Sequence, residues 1–109
     1  MTIRIAVASN DGTKVDQHFG QAESFYVYDV SASGAVEIER REVAPNALPN
    51  EGIRETIIRI LSDCKMLLVE KVGPGPRPML AKAGIEPIDE YAHKPIAPSL
   101  AAVYASHVG

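Results

Sequence analysis

His18 has the type and setting for metal chemistry. It stands in Val15-Asp16-Gln17-His18-Phe19-Gly20, a polar, glycine-bounded stretch from which an imidazole can reach solvent and bind iron through one nitrogen while a neighbour fixes the other. The bland alternative is a loop histidine hydrogen-bonded to its own turn. Phe19 beside it is expected to point inward and anchor the loop. Cys64 is the sole cysteine, so no disulfide can form within the chain, and one thiolate cannot complete a four-ligand cluster or zinc site. A soft thiolate suits iron. Equally, a free cysteine between an amphipathic helix and a buried strand fits a packed structural thiol, with nothing nearby in sequence to lower its pKa. His93, followed by Lys94-Pro95, is either a further imidazole ligand or a surface residue capping the last helix. Gly73-Pro74-Gly75-Pro76-Arg77 enters a helix, whose free N–H groups favour an anion although the prolines remove two donors. Arg77 then either faces an anion or is solvated in a first helical turn. Ser9, Asn10 and Asp11 can contact a ligand at a strand edge or form an ordinary turn.

Strands and helices must bring these residues together. Residues 3 to 8 (IRIAVA) form a short β-rich run closed by Ser9-Asn10-Asp11-Gly12, which predicts a buried first strand entering a polar loop. Residues 24 to 30 and 35 to 43 flank Ser31 to Gly34, and Val36 and Ile38 alternate with Glu37 and Glu39, so a hairpin with one wet face is expected. A Pro/Asn/Gly linker follows. Ile53, Ile57, Ile60 and Leu61 then recur at helical spacing and predict a helix over 52–62. Met66 to Val69 reads as a central strand covered on both faces, with Glu70 and Lys71 at its wet end. A helix over 77–83 stopped by Gly84, a strand over 85–88 and a last helix over 95–105 complete the series. The sum is an α/β fold: one domain over 1–109 with a five-stranded mixed sheet flanked by helices. The loops over 9–20 and 72–77 should leave parallel strands at the same end, where such sheets bind ligands.

With 109 residues, 46% of them apolar, the chain can close a single core. Its apolar runs are too short to span a bilayer and no signal-type segment precedes them, so no membrane association and a cytoplasmic location are expected. A net charge of −3 with scattered Lys and Arg argues against nucleic acid as a partner. It also leaves the attraction of any anion to local positive groups. Metal-dependent nuclease chemistry would need converging carboxylates, including one from the first strand, and residues 3 to 8 contain none.

Residues 5 to 30, IAVASNDGTKVDQHFGQAESFYVYDV, resemble the opening of the dinitrogenase iron-molybdenum cofactor biosynthesis family. Its members run a first strand into a Ser/Asp/Gly loop, then V-[DN]-x-H-F-G and an F-x-[IV]-Y strand. The likeness continues through Asp63-Cys64, Val72-Gly73, Gly84-Ile85-Glu86-Pro87 and Tyr91-Ala92-His93, and the ending resembles both the C-terminal extension of NifB proteins and NifX-like carriers. The radical SAM domain of NifB proteins has no counterpart in these residues. The resemblance implies an RNase H-like fold and a carrier, not an enzyme, that transiently holds an iron-sulfur cluster (the iron-molybdenum cofactor or its precursor). Its implied partners are a NifB-like synthase, a scaffold or apo-dinitrogenase. His18, Cys64 and His93 are then the expected metal ligands, and Ser9, Asn10, His18 and Arg77 the expected cofactor contacts. The chain departs from the NifB-like pattern at Ala44 to Pro49 and Gly73 to Pro76, where additional cysteines are common. A regulatory or interaction module that kept the fold but lost the cluster is the rival expectation.

Overall fold

Successive residues of 3 to 8 point to opposite faces of one strand, and five of the six are buried. That strand, β1 (Ile3–Ala8), is the middle of a five-stranded sheet in a computed structural model that describes residues 1–107. The expected domain end at 109 lies outside the described residues. In chain order β2 (Ser24–Ser31), β3 (Gly34–Glu42), α1 (Ile53–Ile60), β4 (Met66–Leu68), α2 (Pro76–Lys82), β5 (Glu86–Ile88) and α3 (Ile96–His107) follow, with single 3-10 turns at Phe19–Gln21 and Ala44–Asn46. The strands lie in the order β3-β2-β1-β4-β5. β1 is antiparallel to β2 and parallel to β4, and β4 is parallel to β5. This is the five-stranded mixed α/β sheet that the sequence predicted.

Strand alternation sorts the core into two layers. Ala6, Ala8, Phe25, Val27 and Leu67 face α1 and α2, where Ile57, Leu61 and Leu80 meet them. Ile5, Val7, Val30 and Leu68 face the other way onto Ile96, Leu100 and Val103 of α3. The apolar run 66–69 has no alternation because both of its faces are covered, and all four residues are buried.

One expectation fails at the sheet edge. The hairpin forms, but every residue of β3 except Arg41 is exposed, with Val36 at 65% and Ile38 at 39%. Burial here belongs to the inner strands. A register shift opposite Val27/Tyr28 leaves Ile38 without a cross-strand partner, and the strand's Glu and Arg residues keep this open edge polar. The helix bounds also differ slightly: α1 stops at Ile60 because Leu61 leaves helical geometry (φ −107°, ψ 14°) to fill the core.

Leu67 is fully buried in a central strand, so Leu67→Ala should destabilise the fold by about 2–5 kcal/mol in denaturant unfolding. A loss below about 1 kcal/mol would mean that β4 is not where the core closes.

Candidate functional site

Parallel pairing of β1 with β4 sends both following segments out at the same end of the sheet. There they continue to pair. Gln17 N–H donates to Ala8 O (3.3 Å), Glu70 N–H donates to Gln17 O (2.9 Å) and Phe19 N–H donates to Lys71 O (3.0 Å), which sets His18 beside Lys71 in an isolated parallel bridge. Phe19 is buried and pins this stretch, as expected. His18 is thus placed by main-chain hydrogen bonds rather than by its own side chain.

The loop before it is held by its own polar groups. Ser9 Oγ accepts from Gly12 N–H (3.0 Å), Asp16 accepts from Asn10 N–H (2.9 Å) and Asp11 accepts from both the N–H and the hydroxyl of Thr13. Gly12 has φ +83°, and a Cβ there would stand 2.9 Å from the Tyr26 ring, so the turn needs glycine. Residues 13–15 are then laced to 93–96: His93 N–H donates to Val15 O (2.7 Å), Val15 N–H to Lys94 O (3.0 Å) and Ile96 N–H to Thr13 O (3.0 Å). This lacing holds His93 in left-handed backbone geometry, φ +66°, which is uncommon outside glycine and strained.

Two imidazoles therefore converge on one carboxylate. His18 Nε2 is 2.8 Å from Glu70 Oε1, and His93 Nε2 is 3.5 Å from Glu70 Oε2. A groove of about 350 Å³ opens at His18, lined also by Phe19, Gly20, Gln21, Arg54, Lys71, Gly73 and Pro76. Arg54 reaches it from the first turn of α1, and its guanidinium lies so close to Gly75 that a Cβ there would meet Nη1 at 2.9 Å. Neither Arg54 nor Lys71 forms an ion pair with another described residue. An acidic chain thus carries a locally cationic groove beside an accessible imidazole, a combination suited to an anion with a metal centre.

The other expected site residues need correcting. Cys64 sits at the opposite end of the sheet, where the next residue, Lys65, donates its N–H to Arg4 O at the start of β1. It is buried, and burial, helped by the nearby Asp63 carboxylate, pushes its thiol up to about 12. It shares no site with His18. Arg77 pairs with Asp89 (2.9 Å) and does not line the groove. Ser9 is buried and Asn10 is bound into the turn, so both serve the loop's own geometry. Of the expected residues, only His18 and His93 come together. Glu70, Lys71 and Arg54 were not singled out from the sequence. Among the described residues no group of three or more His, Cys, Asp or Glu side chains is arranged to hold a metal ion unaided.

A family model described as dinitrogenase iron-molybdenum cofactor matches residues 1–106. The chain belongs to this family. It is 35% identical to the FeMo cofactor biosynthesis protein NifB of Herbaspirillum seropedicae over 99% of its own length and 21% of that protein's. It is 38% identical to the NifB of Azotobacter vinelandii over 94% and 22%, respectively. The chain therefore spans about a fifth of the curated relatives it matches. Its fold is similar to that of the apo orange protein from Desulfovibrio gigas (TM-score 0.71, 23% identity, 97% of this chain and 90% of that one) and to that of PH0822 (TM-score 0.71, 18% identity, 95% and 92%). At those identities the likeness concerns fold alone. The family's place is in FeMo cofactor biosynthesis for nitrogen fixation. No helix among the described residues is long and apolar enough to cross a membrane.

The buried thiol has a pH signature. A folded-state pKa raised from about 9 to about 12 means that the folded form holds a proton which the unfolded chain releases. This contribution to stability is complete below pH 9 and is lost as pH climbs towards 12, by up to about 1.4 kcal/mol per unit. Urea unfolding between pH 8 and 10.5 should show a steeper alkaline loss in wild type than in Cys64→Ala. Equal slopes would place the thiol in solvent.

Proposed function

We propose that this protein binds and carries an iron-sulfur cluster, the iron-molybdenum cofactor or a precursor of it, during assembly of the nitrogenase cofactor, and catalyses no reaction itself. The observation that carries this is the groove at His18: one solvent-reaching imidazole beside two cations, Arg54 and Lys71, that no described carboxylate neutralises. Metal-sulfur clusters present iron, which accepts a nitrogen, and sulfides bearing negative charge, which suit the cations. His93 lies across Glu70 as a second imidazole. With Cys64 at the far end, ligation rests on nitrogen and on whatever ligands the cargo or a partner supplies. Donor and acceptor of the cargo would be a NifB-like synthase, a scaffold or apo-dinitrogenase, all in the cytoplasm.

A second function, an interaction module that has lost its cargo, draws on the lack of a three-ligand set among the described residues. Anaerobic incubation with a synthetic [4Fe–4S] cluster, followed by gel filtration, iron analysis and charge-transfer absorption, separates the two. Wild type should retain iron. The His18 side chain is 42% exposed, so His18→Ala should shift stability by only about 0.5 kcal/mol, yet it should lower cluster retention at least tenfold. Retention by His18→Ala equal to wild type would remove the ligand assignment, and a wild type that retains no iron would favour the interaction module.

A further inference from the structure

The carriage proposal leaves open which nitrogen of His18 meets the metal. We infer that Glu70 decides it, acting as a positioning residue that keeps the proton on Nε2 and presents Nδ1 to the cargo. The inference rests on the carriage proposal and adds a residue to that site.

A carboxylate can only accept a hydrogen bond, so at 2.8 Å from Glu70 Oε1 the Nε2 of His18 must be the protonated nitrogen. In the neutral imidazole, the form that can bind a metal, the lone pair is then on Nδ1, which has no hydrogen-bond partner among the described residues. Glu70 is well placed to hold this state. Its main chain is fixed to the very loop that carries His18, through Glu70 N–H to Gln17 O at 2.9 Å, so the two side chains share one rigid frame. Its side chain is 21% exposed, half as open as the His18 ring at 42%. The second oxygen stands 3.5 Å from His93 Nε2, a longer contact to an imidazole that is 69% exposed, so the hold on Glu70 comes chiefly from its own main chain and from His18. The resulting carboxylate–histidine–metal arrangement orients the ring and makes its free nitrogen a better donor, and removing such a partner typically weakens metal binding by about 10–100-fold.

Glu70→Ala and Glu70→Gln test this, because glutamine keeps an acceptor oxygen and alanine does not. In the protein alone, 15N NMR of the imidazoles should show His18 with a hydrogen-bonded Nε2 proton in wild type and Glu70→Gln, and without that bond in Glu70→Ala. With a synthetic [4Fe–4S] cluster bound and reduced, pulsed EPR on samples labelled with 15N at one histidine nitrogen, in a His93→Gln background, should find coupling to Nδ1 in wild-type Glu70. Retention should fall about 10–100-fold in Glu70→Ala and less in Glu70→Gln. Coupling to Nε2 with Glu70 intact, or retention by Glu70→Ala equal to wild type, would overturn the inference while leaving carriage at His18 standing. Retention by His18→Ala equal to wild type would instead overturn that carriage site, and the inference with it.

Discussion

The parallel ladder between β1 and β4 is the constraint from which the rest of the molecule follows. Ile5, Ala6 and Val7 pair with Met66, Leu67 and Leu68, and β1 is buried at all three positions without measurable exposure. Helices cover both faces, so neither strand can slip by one residue without exchanging its two apolar layers. A ladder locked in this way fixes more than the core. Its parallel sense puts both outgoing segments at one end, and the Gln17 and Phe19 hydrogen bonds extend the pairing past the regular strands. The groove residues on 17–20 and 71–76 are therefore placed by the strongest part of the fold, although they lie in loops.

The two ends of the sheet handle charge in opposite ways. At the end where β1 begins, Arg4 bridges Asp29 and Asp63, and Arg41 reaches the same Asp63. Arg4 holds the Asp29 carboxyl below its usual range, and Arg41 does so for Asp63. In the linker before α1, Arg59 and then Thr56 bring Glu51 down to about 2. Asp29, Asp63 and Glu51 are thus paired with arginines away from the groove, while Arg54 and Lys71 form no ion pair among the described residues. Exposed pairs of this kind add little to stability. Within a chain of net charge −3, the groove holds two cations without an ion pair, Arg54 and Lys71, beside an imidazole, while Lys14, Arg40, Lys65, Lys82 and Lys94 are likewise without an ion pair elsewhere among the described residues.

Much of this was legible in the sequence because it was local. The unbroken apolar run at 66–69 announced a doubly covered strand, and the turn residues after Ala8 announced the loop that carries His18. The shared end of the two loops followed from strand direction alone. Long-range partners were what could not be read. Arg54 looked like the wet side of an amphipathic helix, and only its approach to Gly75 turns it towards the groove. Glu70 looked like a strand's polar end until two histidines from separate segments met it. Arg77 had the right type and a plausible place, but Asp89, twelve residues on, claims it. Cys64 was drawn towards the site by its chemistry alone, whereas its position just before β4 puts it at the opposite end from residues that follow β4. β3 carried a true strand pattern, yet pattern cannot tell whether a helix will lie over an edge.

A carrier must also let go, and this bears on what a sparse site can do. Soft thiolates hold iron firmly, and a full set of them is the arrangement of a resident cluster. Here the single thiol is buried and protonated at neutral pH, which leaves nitrogen donors and two cations. Cationic side chains at a half-open groove attract an anion without forming bonds that must later be broken, and their attraction is weakened by salt and by a competing partner surface. One imidazole, oriented beforehand by a carboxylate, adds direction to that attraction. An acceptor offering one stronger ligand could then displace it. On the carriage proposal, the absence of cysteines at 44–49 and 73–76 is therefore consistent with a site shaped for hand-over rather than for storage.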